Sequence, residues 1–194
     1  MKKYLEPSRV INFDDPAVAE LAEQLAQGAM GENDIVRRCF EFVRDKIKHS
    51  WDYKLNPVTC RAADVLLHGT GYCYAKSHLL AALLRKNGIP TGLCYQRLPV
   101  NDSGAPYCLH GLNAVYLAEY GWYRIDARGN KANVNAQFSP PLEALAFPIQ
   151  ETHACDLPEI WSEPLPVVTD VLERYDDIEQ VFRNLPDIQL LNLK

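Results

Sequence analysis

A helix that is apolar on every side has to be enclosed by the rest of the chain, and residues 72–85 spell one out. Tyr72-Cys73-Tyr74-Ala75-Lys76-Ser77-His78 leads into Leu79-Leu80-Ala81-Ala82-Leu83-Leu84-Arg85. After its first turn this run is apolar nearly all round, which predicts a helix at the centre of a domain. Gly69-Thr70-Gly71 opens it, and Gly88 followed by Pro90 closes it. Enclosure takes material, and the chain has enough: 194 residues, 47% of them hydrophobic. That length predicts one domain, which buries roughly 70% of the surface its unfolded form exposes. Its core needs no disulfide or metal.

The surroundings of that helix fall into two kinds. Before it the period is helical. Asp15 caps and Pro16 starts a helix through Ala26, stopped by Gly28 and Gly31. Asn33-Asp34 then predicts the cap of a second helix, in which Ile35, Val36, Cys39, Phe40 and Val43 recur at helical spacing. His49 to Tyr53 reads as the end of that helix, leading into a loop through Asn56-Pro57, and Ala62 to Leu67 reads as a short helix. After the central helix the period shortens. Ile89 to Arg97, Leu109 to Leu117 and Trp122 to Ala127 read as strands, the last two joined tightly near Glu119-Tyr120-Gly121. Past Asn130 the pattern weakens to one or two further strands and a helix near Val167 to Arg174. Helices first and an antiparallel sheet after them make the class α+β. We expect a single domain over residues 1–194, with its motif-bearing core at about residues 35–131 and an acidic extension at about residues 151–194.

Charge and cysteine usage remove several functions. The net charge is −5. Residues 1–150 are mildly basic and residues 151–194 strongly acidic, the latter expected as a solvated face. With no basic stripe, nucleic acid is not an expected partner. The N-terminal Met1-Lys2-Lys3-Tyr4-Leu5-Glu6-Pro7 has no apolar run behind its charges and does not read as a signal peptide. No stretch approaches the ~18 apolar residues of a membrane helix, so no membrane partner is expected. The six cysteines stand singly at 39, 60, 73, 94, 108 and 155, without a paired spacing. That pattern predicts free thiols in a reducing cytoplasm.

One of the six sits differently. Cys73 falls in the first turn of the buried helix, directly after a glycine-rich turn. There the unpaired backbone N–H groups and the helix dipole favour a thiolate and can also hold the oxyanion of an attacked carbonyl. A nucleophilic cysteine needs a base, and the base an orienting group. His78 lies five residues along the same helix, about 140° round its axis, and points elsewhere. His49, His68 and His153 fall in predicted loops. His110 starts a strand and Asp126 ends the next, a natural place for a His–carboxylate pair. On residues alone, a structural histidine and a catalytic one both remain open.

The combination narrows this. Gly71-Tyr72-Cys73-Tyr74-Ala75, continuing to Arg85-Lys86-Asn87-Gly88-Ile89-Pro90, resembles the cysteine segment of the transglutaminase-like superfamily. His110 with its strand, then Gly121-Trp122-Tyr123-Arg124-Ile125-Asp126, resembles the superfamily's histidine and aspartate strands. The resemblance implies a papain-like fold and a Cys-His-Asp triad: Cys73 as nucleophile, His110 as base and then acid, Asp126 as orienter. It also matches the superfamily's upstream aromatic with Trp51 or Tyr53, each a candidate for the oxyanion or substrate site. Ser77 and Gly111 depart from the bulkier or acidic residues of many relatives. No counterpart of the calcium-binding loops of animal transglutaminases is found, so no cofactor and no metal are implied.

The implied activity is cysteine-dependent acyl transfer on a peptide or amide substrate through a thioester, with hydrolysis favoured over crosslinking. Two alternatives stand beside it: a non-catalytic binding module on the same fold, and a zinc site built from Cys73, Cys108, His110 and Asp126, which lacks the usual paired ligand spacing. Because residues two apart share a strand face, Cys108 and His110 are expected to look the same way, and a reversible Cys73–Cys108 disulfide is a secondary expectation.

Overall fold

A computed structural model describes residues 1–101, 104–149 and 154–188. The N-terminal half is helical: α1 (Pro16–Ala26), α2 (Glu32–Lys46), a two-residue strand β1 (Lys48–His49), a single turn α3 (Ser50–Tyr53), α4 (Ala62–His68), a second short strand β2 (Thr70–Gly71) and α5 (Cys73–Lys86). The sheet follows as β3 (Thr91–Asn101), β4 (Gly104–Leu117) and β5 (Gly121–Ile125), with β6 (Cys155–Asp156) at its edge, and the chain ends in α6 (Pro166–Arg174) and α7 (Ile178–Arg183). Strand order is β5-β4-β3-β6, all antiparallel. The α+β class expected from the order of elements is the observed one.

The predicted central helix is central. Every residue of α5 but Lys86 is buried, between α1, α2 and α4 on one side and β3 and β4 on the other. Its polar residues are buried with it, and each finds backbone to bond, as buried polar groups must. Arg85 donates to the carbonyls of Thr91 (3.0 Å), Glu6 (2.8 Å) and Ser162 (2.6 Å), tying three distant segments to one helix end. The His78 ring pairs through Nδ1 with the Cys60 carbonyl at 2.8 Å, so it does point away from Cys73. Lys76 Nζ reaches the Ile47 and Arg44 carbonyls at the end of α2.

Lys76 gives the fold a pH signature. Burial, reinforced by the Arg128 guanidinium, brings its ammonium from 10.5 down to about 7. Between those values the unfolded chain holds a proton that the folded one does not, so Lys76 makes stability rise with pH across that window. Relative to Lys76→Met, the wild type should therefore gain about 2 kcal/mol between pH 7 and pH 9. Urea denaturation of both proteins at the two pH values measures this, and parallel curves would remove Lys76 from the account.

Several boundaries differ from expectation, each for a local reason. Asp15 caps α1 as expected, its carboxylate accepting from the Ala17 and Val18 amides. The cap of α2 is Gly31 and not Asn33-Asp34; Asp34 lies inside the first turn, where it binds Arg38 and the Met30 amide. Residues 49–53 do not end α2, which stops at Lys46; His49 pairs with Gly71 in a parallel bridge and Ser50–Tyr53 make a helical turn of their own. The acidic C-terminal part is more than a solvated face. Val168, Leu172, Ile178 and Val181 are core residues, and Asp156, Glu173 and Asp187 pair with Arg124, Arg9 and Arg97 of the body. His153 lies outside the described residues. Among the described residues, no helix is long and apolar enough to cross a membrane.

Candidate active site

The nucleophile candidate is positioned by two short-range constraints. The β1–β2 bridge sets His49 beside Gly71, two residues before Cys73, and Tyr72 then turns the chain into α5 in extended conformation. Cys73 is the first helical residue and is 3% exposed. From the other side β4 comes unusually close. The Gly111 amide lies 3.5 Å from Cys73 Sγ, and a Cβ on Gly111 would stand 2.9 Å from Tyr74 Cδ1 and 3.1 Å from Tyr74 Cα. The departure at residue 111 is thus what lets the strand lie against the first turn of the helix.

That contact puts His110 next to Cys73. His110 Nε2 and Asp126 Oδ2 are 2.8 Å apart, both buried, which leaves the other ring nitrogen, Nδ1, free of Asp126. The pairing of β4 with β5 ends at Asn113↔Ile125, so Asp126 is one residue past the ladder and reaches back along β4 to His110. Its carboxylate is itself held, Oδ1 by the Arg128 amide and Oδ2 by the Ala146 amide, each at 3.1 Å.

Electrostatics follows from this enclosure. Burial by itself would lower the proton affinity of His110, but the Asp126 and Cys73 charges and hydrogen bonds outweigh it and raise the imidazole to about 10. For Asp126 burial acts to raise the carboxyl, and His110 with the two backbone amides overrules it, keeping it below its ordinary value. The arrangement favours a cation at His110 beside the Asp126 carboxylate. Burial pushes Cys39, Cys60, Cys94 and Cys108 up to about 12.

Cys73 and His110 open onto a cleft of about 760 Å³. Trp51 lines it, stacked flat on Phe182 of α7 with centroids 3.7 Å apart and planes 6° apart. Tyr53 is not brought there. It is 60% exposed at the end of the single turn of α3, with the Lys48 ammonium over its ring. Cys108 does line the cleft, and like Cys73 it is a free thiol.

His49 is a cleft residue that the sequence reading passed over. Its ring lies 4.9 Å from that of Tyr72, and its buried Nδ1 has no hydrogen-bond partner, being 3.6 Å from Asp52. Burial and then the Arg128 cation hold it well below the ordinary histidine value. Asp52 is committed to Arg128 (2.7 and 3.0 Å) and Lys131 (3.0 Å); burial works to raise its carboxyl, and these cations bring it to about 2. A strand of two residues leaves no periodicity, so nothing short of the β1–β2 bridge could have found His49.

No group of three or more His, Cys, Asp or Glu among the described residues is disposed to hold a metal ion.

Comparison with known proteins bears on the fold. One similar structure is a protein from Cytophaga hutchinsonii provisionally termed a cysteine protease, at 20% identity and a TM-score of 0.51, the match covering 64% of this chain and 40% of that one. Another is the periplasmic domain of TgpA from Pseudomonas aeruginosa, at 23% identity and a TM-score of 0.47, covering 64% of this chain and 45% of that one. The chain thus spans less than half the length of either. No curated protein matches the sequence. Residues 19–127, the span that holds Cys73, His110 and Asp126, match the transglutaminase-like superfamily over more than half the chain, and the chain belongs to that superfamily.

Proposed function

We propose that the protein is a cysteine-dependent acyl-transfer enzyme that hydrolyses amide bonds through a thioester on Cys73. The observation that carries this reading is the buried His110–Asp126 pair of 2.8 Å facing a cysteine at a helix start. The Cys73 thiolate attacks the amide carbonyl, and the resulting oxyanion meets the Cys73 backbone N–H at the N-terminus of α5. The C–N bond breaks as His110 passes its proton to the leaving amine. Neutral His110 then takes a proton from water. The hydroxide so formed adds to the thioester, the C–S bond breaks, and the acid leaves with thiolate and imidazolium restored. Asp126 holds the ring throughout and is never protonated.

Alkylation tests the pair without a known substrate. Iodoacetamide at pH 6 should label Cys73 before any other thiol, as located by mass spectrometry. Four of its rivals are held up near 12 by burial, and the partly exposed Cys155 is the internal reference. His110→Ala should remove this labelling at pH 6. Labelling of Cys73 no faster than that of Cys155 would sink the acyl-transfer reading and leave a binding module. Hydrolysis is separated from crosslinking by offering an amine together with a peptide amide, with free acid as the expected product.

A further inference from the structure

Among the described residues, β4 outruns β5, and beyond that point one of its edges has no strand partner. The ladder to β5 starts at Asn113↔Ile125, whereas β3 covers the other edge as far as Leu98↔Cys108 and beyond. Alternation along an antiparallel strand aims the amides of Leu109 and Gly111 to the uncovered side. Gly111 meets Cys73 Sγ. The Leu109 amide, adjacent to His110, donates to the carbonyl of Pro186 at 2.7 Å.

Pro186 belongs to the non-helical segment that follows α7. Around it, Leu185 lines the cleft and Asp187 is forked by Arg97 through two bonds of 2.7 Å. On this edge the Leu109 carbonyl is taken by the Tyr74 hydroxyl and the Gly111 amide by Cys73 Sγ, so the Leu109 amide is the main-chain group a peptide can pair with, and the side-chain sites on either side of Pro186 supply selectivity. They lie beside the nucleophile candidate.

We propose that the uncovered edge of β4 is a peptide-binding subsite and that residues 184–188 are its intramolecular occupant. The ligand class is an extended peptide carrying an apolar residue for the cleft, a main-chain carbonyl for the Leu109 amide, and an acidic residue for Arg97. This deepens the amidase reading and rests on it for the consequence at Cys73: the occupant must leave before a substrate strand can enter. The site itself is measurable without turnover.

The test uses the full chain with Cys73→Ala, carrying either Asp187→Lys, which faces Arg97 with a like charge, or Leu185→Asp, which puts a carboxylate in the apolar cleft. A fluorescein-labelled peptide of the sequence Arg-Asn-Leu-Pro-Asp-Ile is the probe. In both variants amide hydrogen exchange at Leu109 should quicken at least tenfold. The peptide should bind each at least tenfold more tightly than it binds the chain with its own segment intact, and should restore Leu109 protection. A peptide with lysine in place of its aspartate should lose that binding. Fast exchange at Leu109 without tighter peptide binding would make the segment a fixed wall and overturn the proposal. Unchanged exchange in both variants would overturn it equally, since these contacts would not hold the segment. Should the peptide bind while Cys73 proves unactivated towards iodoacetamide, the amidase reading fails and the peptide site stands.

Discussion

Asp126→Asn should lower turnover of a peptide amide about 10³- to 10⁴-fold with KM within roughly threefold, the size of loss seen when an orienting carboxylate becomes an amide. The asparagine is nearly isosteric, but its single oxygen can serve only one of the Arg128 and Ala146 amides that hold the carboxylate, so a loss of about 1–3 kcal/mol in stability accompanies the substitution and the fold is checked alongside turnover. What goes is the charge. His110 stands at about 10 only because Asp126 and Cys73 overcome the burial that opposes a cation there. With the carboxylate gone, burial regains most of its effect and the imidazole falls towards, or below, its ordinary range near 6.5. On the proposed mechanism the Cys73 thiolate then loses its counter-ion. Two readouts separate this from simple unfolding: alkylation of Cys73 at pH 6 should drop with kcat, and the His110 ring titration followed by NMR should move down. If turnover falls while His110 still titrates near 10, Asp126 acts by some route other than charge.

Cys73 and Asp126 were legible as candidates because each sits at an element boundary that chemistry marks, a cysteine after a glycine-rich turn and an aspartate just past a strand; His110, expected to start a strand, lies instead in the middle of β4, which begins at Gly104. The all-round apolar character of residues 79–84 likewise announced a central helix, and α5 is one. Less legible was whatever depends on segments distant in sequence. The stack of Trp51 on Phe182 joins residues that no local pattern relates, and α7, which supplies Phe182, has only six residues. Tyr53 and Trp51 were equivalent on paper because their separation depends on which way the single turn of α3 faces. His49 was hidden for a related reason, since its place in the cleft comes from a two-residue bridge to Gly71. The acidic C-terminal segment looked solvated because its ion pairs are made to arginines scattered over the whole body.

Gly111→Ala tests the remaining requirement of the site, the distance between its two halves. His110 and Asp126 come from the sheet, and Cys73 comes from the helix. The only thing that lets the two layers meet at this point is the absence of a side chain at residue 111. The added methyl would stand 2.9 Å from Tyr74 Cδ1 and 3.1 Å from Tyr74 Cα. Tyr74 cannot easily yield, being 1% exposed with its hydroxyl donating to the Leu109 carbonyl. The strain should therefore be relieved by moving the start of α5 away from β4, at a cost of about 1–3 kcal/mol in stability. The catalytic cost should be larger in proportion, because a displacement of about 1 Å at a reacting centre is worth on the order of 10²-fold in rate. The His110–Asp126 bond lies wholly within the sheet and should be kept. The expected pattern is thus a folded protein in which the His110–Asp126 pair persists by NMR, Cys73 alkylation at pH 6 falls towards that of Cys155, and turnover drops about 100-fold. A variant with full turnover would show that helix and sheet can separate here without harm, and that the close approach serves packing alone.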